Sequence, residues 1–323
     1  MNLPWYLYFL TYYIKCRFFR KRIPILAGFK ITNRCNLSCL HCPFWKRNSP
    51  KMLTFNQVKN TLTTIHQLGI RILILEGGEP LLWKDGEYSI HDVVAFAKSL
   101  FFSVGITTNG TFPLTVKAHT VWVSIDGLKE THNQIRENCF DKVMENIQNS
   151  SHPNIYANIT INQKNYQEIP ELVKCLTGKI KGITIQFHYP YEKGDTLTPS
   201  FEQRKEVLNN LISLKKAGYP IVDSYLCLES LKDNSWDCQD WMLANVEPDG
   251  SINLGCYVKG RGDIQCKMCG FAAHTEISLA YGWHIESILT GKKIFRYGKA
   301  VKDRTIADFG MKDKKYWVLD NPI

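Results

Sequence analysis

ILAGFKITNRCNLSCLHC, residues 25–42, decides how the rest of the chain is read. Its first eight residues are an apolar run containing β-branched and aromatic side chains, the composition of a strand buried on both faces. Cys35, Cys39 and Cys42 follow at once, with three and then two residues between them. A strand ending in such a loop puts thiols at the C-terminal edge of a sheet, where α/β folds gather their ligand chemistry. A four-iron cube is normally held by four thiolates, so three would leave one iron open.

Outward from this strand, apolar runs alternate with helical periods. Strand-like runs occupy residues 25–32, 70–75, 102–108, 121–126, 155–161 and 183–189, with helical patterns at 54–68, 89–100, 138–149, 166–176 and 201–217. Strands separated by helices of this length form βαβ units and a parallel sheet. The expected fold class is therefore α/β, a partial (β/α)6 TIM-type barrel over residues 25–217. Thr54, with Gln57 three residues later, has the pattern of a helix capping box. Beyond Gly218 the sequence turns irregular and cysteine-bearing, so a smaller C-terminal region is expected over 218–323, with residues 1–24 as a separate segment.

Eleven cysteines in 323 residues suggest disulfides at first sight. They are clustered rather than spread, the chain is long enough to bury a core without staples, and its start lacks a cleavable-signal pattern. Metal-bound thiols in a reducing, cytoplasmic compartment are the better expectation. The net charge of +10 is uneven: residues 1–75 hold twelve Lys and Arg and no Asp or Glu. The rest is near neutral, which argues against nucleic acid as a partner. The opening, LPWYLYFLTYYIKCRFFRKR (residues 3–22), is aromatic and then cationic. Twelve apolar residues are too few to span a bilayer. Interfacial aromatics with a basic cluster predict a peripheral membrane contact through residues 1–22, on the cytoplasmic face. The alternative is a helix packed on the protein's own core.

Nearly every unusual polar residue falls after a strand. EGGEP (76–80) follows the second run, TTNGT (107–111) the third, and Ser124 and Asp126 end the fourth, with HNQIR (132–136) behind them. NQKN (162–165) and FHYPYEKGD (187–195) follow the fifth and sixth. This rim is the expected active face.

CxxxCxxC after a first strand and GGEP after a second resemble the radical S-adenosylmethionine (SAM) superfamily over residues 25–190. The resemblance implies that Cys35, Cys39 and Cys42 hold a [4Fe–4S] cluster whose fourth iron takes the amino and carboxylate groups of SAM. One-electron reduction would then give methionine and a 5′-deoxyadenosyl radical. Gly77, Gly78 and Glu79 would hold the methionyl ammonium, and His41 would lie near the adenine. Thr108 and Asn109 suit the ribose or the methionine carboxylate, Ser124 and Asp126 the ribose, Arg136 the carboxylate, and Asn162 the ribose or adenine edge. No catalytic residue beyond the cluster is assigned. A reductant such as ferredoxin or flavodoxin is the implied partner. Polar rim residues without a ligand, or zinc on the close cysteines, are the plainer readings.

A second group, Cys238, Cys256, Cys266 and Cys269, resembles the auxiliary-cluster region of SPASM/twitch radical SAM enzymes, implying a second [4Fe–4S] cluster. Five residues separate Gly250 from Cys256 where that pattern has four, so Cys227 is a substitute ligand and zinc an alternative metal. The PDG turn (248–250) reads as a hairpin carrying Cys256 beyond it. Residues 183–270, through HYPYE, KKAGYPIVDS and GCYV, resemble hopanoid-type adenosyltransferases. With the aromatic N-terminus, this leads to an expected isoprenoid or other membrane-lipid substrate, an apolar small molecule. The alternatives are a maturase acting on a peptide or protein, and a non-catalytic iron–sulfur electron carrier. Cys16, Cys139 and Cys175 read as small hydrophobes or free thiols.

Overall fold

The expected apolar runs form parallel strands in register. The computed structural model describes residues 4–47 and 52–297. Residues 1–3, 48–51 and 298–323, including the outer ends of the two terminal regions named above, lie outside the described residues. The chain opens with helix α1 (Trp5–Arg17), then β1 (Leu26–Lys30), α2 (Phe55–Gln67) and β2 (Ile72–Glu76). A minimal hairpin, β3 (Lys84–Asp85) and β4 (Tyr88–Ser89), leads into α3 (Ile90–Ala97) and β5 (Ser103–Thr108). Next come β6 (Thr120–Ser124), α4 (Lys129–Arg136), α5 (Phe140–Gln148), β7 (Ile155–Ile161), α6 (Ile169–Leu176), β8 (Gly182–Phe187) and α7 (Phe201–Lys216). The last part holds α8 (Tyr225–Ser230), β9 (Leu243–Val246), β10 (Ile252–Leu254), α9 (Ala272–Tyr281) and α10 (Ile285–Phe295).

One sheet runs β10-β9-β1-β2-β5-β6-β7-β8, parallel throughout except for the antiparallel β9–β10 hairpin. Two features depart from the expected barrel. The connection from β5 to β6 is a coil over 109–119 with no crossover helix, and β9, from the C-terminal region, pairs in parallel with β1. The PDG turn makes the hairpin foreseen for it, and Thr54–Gln57 forms the capping box.

Strand alternation separates two environments. Ala27, Phe29, Leu73, Leu75, Val121 and Val123 join residues of α2, α3, α5, α6 and α7 in one core. Leu26, Gly28, Ile72, Ile74 and Trp122, pointing the other way, line an interior cavity of about 850 Å³. The N-terminal ends of the strands are flanked by two helices. α1 is pinned through Tyr8 Oη, donating to Gly69 O at 2.8 Å, and Tyr12 Oη, donating to Ile23 O at 2.8 Å. α10 crosses the starts of β5 and β6, where Ser103 and Thr120 donate to the carbonyls of Phe295 and Ile294. No helix of the described residues is long and apolar enough to cross a membrane.

Candidate active site

The β1 and β2 backbones keep pairing beyond the strands and so fix the cysteine loop. Ile31 N donates to Glu76 O (2.8 Å), Gly78 N to Thr32 O (2.7 Å) and Glu79 N to Arg34 O (2.8 Å), ending one residue before Cys35. Gly77 and Gly78 are needed for this approach: a Cβ on Gly78 would lie 2.3 Å from Arg34 O, and one on Gly77 2.5 Å from Thr32 O. Their first use is thus to seat the chain that leads into the cysteines. Gly78→Ala should displace that segment, lowering iron incorporation at Cys35 together with thermal stability. Full iron loading in the variant would refute this account.

The loop itself is tied down at several points. Cys42 N donates to Cys39 O at 3.1 Å, Leu40 N to Ile135 O at 2.9 Å and Ser38 N to the Glu137 carboxylate at 2.8 Å. Cys35, Cys39 and Cys42 line one end of the cavity, joined in its wall by His41, Gly77, Gly78, Thr108, Asn109, Ser124 and Arg136. Arg136 Nη1 lies 3.8 Å from Cys39 Sγ and Asn109 Nδ2 3.8 Å from Cys35 Sγ. Burial pushes the Cys39 thiol up to about 12 and raises Cys35 as well, with Arg136 opposing the shift at Cys39. These thiols therefore stay protonated until a metal's charge displaces the proton.

Three predicted residues take other positions. Glu79 is fully buried, and its carboxylate accepts from Asn109 N (2.7 Å), Thr108 Oγ1 (2.8 Å) and Leu81 N (3.0 Å). It clamps the TTNG turn against the cysteine loop, and burial raises its pKa to about 7. Asp126 is also fully buried: it pairs with Arg136 and accepts from Thr160 N at 2.7 Å. Asn162 turns back on its own loop, accepting from Lys164 N at 2.9 Å. None of the three is in the cavity wall. His41 lies 3.6 Å from Asp126 with Nδ1 buried and unpaired, and burial lowers its pKa to about 3, so the ring is neutral.

Cys238, Cys256, Cys266 and Cys269 come together near enough to influence one another's charge. Burial pushes Cys238 up to about 12 and Cys269 to about 11, and the neighbouring thiols add to both. Buried Arg204 holds the second pair, donating to Cys269 O (2.8 Å) and Met268 O (3.1 Å), while Phe187 N bonds Gly270 O at 2.9 Å. Neither cysteine group sets three donor atoms within 4.8 Å of one another among the described residues. Cys227 lies elsewhere: its sulfur neighbours Asp223 and Glu276, not the other four cysteines.

Other functional-looking residues had no motif to announce them. Lys30 and Glu76 are register partners on β1 and β2, 3.4 Å apart at their charged ends. Arg261 reaches Glu76 at 3.1 Å and Glu247 at 2.6 Å, and Tyr257 Oη accepts from Lys30 at 2.8 Å. A charge at the matching end of two successive apolar strands was the one readable sign. Asp223 and Glu276 also line the cavity. Burial, and then Glu276, push Asp223 up to about 8. A carboxyl protonated in the fold but ionised when unfolded costs stability as pH rises from the ordinary carboxylate range through about 8. Asp223→Asn should therefore gain stability over the parent at alkaline pH and lose that advantage in acid, as read by denaturant midpoints.

A profile of the Radical SAM superfamily matches residues 29–176. The chain is 25% identical over 275 residues to Fe-coproporphyrin III synthase of Methanosarcina barkeri, covering 74% of this chain and 67% of that protein. It is 30% identical over 165 residues to the sporulation killing factor maturation protein SkfB of Bacillus subtilis, covering 47% of this chain and 39% of that one. Among solved structures, Streptococcus suis SuiB bound to precursor peptide SuiA superposes with a TM-score of 0.60 at 14% identity, over 79% of this chain and 65% of SuiB. That likeness concerns the fold. With the three-cysteine loop and the GGEP turn joined at the end of a mostly parallel barrel, the match identifies residues 29–176 as a radical SAM domain.

Proposed function

We propose that the protein reductively cleaves SAM at a cluster held by Cys35, Cys39 and Cys42, carries a second cluster on Cys238, Cys256, Cys266 and Cys269, and modifies a peptide or protein. The observation that carries this is one cavity with Cys35, Cys39, Cys42, Gly77, Gly78, Asn109 and Arg136 together in its wall, and a second group of four thiols gathered close to one another. Relatives named as maturases favour the peptide substrate over the lipid first expected.

When bound, the first cluster supplies the electron that breaks SAM into methionine and a 5′-deoxyadenosyl radical. The chain's own residues do the rest. Arg136, held charged by Asp126, meets the SAM carboxylate, and Thr108, Asn109 and Ser124 meet its polar edge. Neutral His41 offers an uncharged ring to the adenine. The predominantly apolar wall excludes water, which keeps a reactive carbon radical on its substrate.

Anaerobic reconstitution should yield about eight irons per chain, as two four-iron cubes require. About four irons plus one zinc would remove the second cluster from the proposal. Inactivating the protein in its host should eliminate a modified peptide while leaving lipids unchanged. A second reading, an apolar small molecule or lipid, rests on the apolar cavity wall and would be favoured by the opposite outcome.

A further inference from the structure

α1 is apolar around its whole circumference, yet only one side of it is covered. Tyr12 and Cys16 are buried against the barrel, while Tyr6, Leu7, Leu10, Ile14 and Phe18 stay exposed, Phe18 at 72%. At 100° per residue these five fall within about one third of a turn, so they form one face. A helix apolar all round belongs in a core or against lipid. α10 repeats the pattern: Ile285, Ile288 and Leu289 are exposed, Ile285 at 70%, as is Trp283 just before it. The two helices are neighbours, with Tyr13 packed on Trp283 at 4.7 Å and Trp5 on Tyr297 at 5.0 Å. Their exposed sides make up one continuous patch of a kind soluble surfaces rarely carry without a partner.

Cations border this patch. Lys15, Arg17, Arg20, Lys21 and Arg22 are exposed at the end of α1, and Lys292, Lys293 and Arg296 along α10. No acidic residue occurs before Glu76 to offset the first group. Aromatic and aliphatic side chains ringed by Lys and Arg match the boundary between acyl chains and anionic headgroups. The interior cavity also extends to this surface, since Leu10, Trp283, Ile288 and Leu289 line it along with the cysteines.

We propose that the joint face of α1 and α10 docks the protein on an anionic membrane, with the lower mouth of its cavity against the lipid. The contact is thus a two-helix surface rather than an N-terminal anchor alone. It does not depend on the identity of the substrate, and its test involves no turnover of substrate.

The test is flotation of the full-length protein with vesicles rich in phosphatidylglycerol and with pure phosphatidylcholine. Recruitment is expected to the anionic vesicles alone, weakening as salt rises from about 0.1 M to about 1 M and the Debye length shrinks to about 3 Å. Ile14→Asp combined with Ile285→Asp should reduce it at least about tenfold, the effect of losing 1.4 kcal/mol or more of apolar transfer. Neither residue lines the cavity, so substrate-free SAM cleavage should persist and report an intact fold. Equal binding by parent and double variant overturns the proposal. So does absence of binding with the patch protected from hydrogen exchange, which would mean that residues 298–323 or a second copy cover it.

Discussion

Cys39→Ala is expected to abolish 5′-deoxyadenosine formation and to lower the iron content from about eight to about four per chain. Cys39 is the most enclosed of the three loop thiols, with 5% exposure, and has Arg136 Nη1 beside its sulfur. A two-cysteine remnant offers two anions for a cube that needs three thiolates plus SAM. Because burial keeps the metal-free thiol protonated, its loss removes little from the apoprotein. The denaturation midpoint of the metal-free variant should therefore stay close to that of the parent, which separates ligand loss from misfolding. Cys175→Ala, at a half-buried position on α6, is the control and should retain iron and activity. Retention of all irons and of SAM cleavage in Cys39→Ala would refute the proposed ligand set.

The strands were legible because a parallel sheet covered on both sides needs unbroken apolar runs, and β1, β2, β5, β6, β7 and β8 each carry one. The capping box and the PDG hairpin were legible because both are local: partners two to four residues apart determine them. Parallel pairing of β9 with β1 is non-local, joining positions more than 200 residues apart, and nothing in LANV names its neighbour. No helical pattern was read over 109–119, and the coil found there is again held non-locally. Its residues are held by distant groups, as when Asn146 Nδ2 donates to Gly110 O at 2.8 Å.

Within the site, the motifs that put Cys35, Cys39, Cys42, Gly77 and Gly78 in one cavity wall were legible, whereas the buried hydrogen-bond partners of Glu79, Asp126 and Asn162 were not. A carboxylate at a strand end looks the same in sequence whether it faces a ligand or clamps a turn, and only burial distinguishes the two. The lipid expectation rested on the aromatic N-terminus, the aromatic rim of FHYPYEKGD and the resemblance of residues 183–270 to hopanoid-type adenosyltransferases. One side of the N-terminal segment packs on the barrel floor, so its aromatic composition serves closure as well as surface.

Arg261→Met should destabilise the protein by about 3–5 kcal/mol, the cost of leaving buried charges without their partner. The guanidinium side chain is 0% exposed, lies over the Tyr257 ring at 4.2 Å and joins Glu76 on β2 to Glu247 beyond β9. The Arg261 carbonyl also accepts from Arg47, at the end of the three-cysteine loop. The side chain thus ties the barrel to the segment bearing the second cysteine group, while the carbonyl of the same residue holds the end of the first cysteine loop. A methionine of similar length fills the space but satisfies neither carboxylate, and Lys30 can serve only Glu76. Arg261→Met with Glu247→Gln should accordingly lose less than the two single changes combined.

Acid provides an independent check. Burial pushes Glu76 up, but Lys30 and then Arg261 more than offset it and hold the carboxyl below its ordinary value. A carboxylate of that kind contributes stability above the ordinary range, and the contribution is lost as pH falls through the lower folded value. The gap between parent and Arg261→Met should therefore be widest near neutrality and narrow as Glu76 takes up its proton. A gap independent of pH would reduce the role of Arg261 to filling space beside Tyr257, and the charge link from β2 to the segment beyond β9 would fall with it.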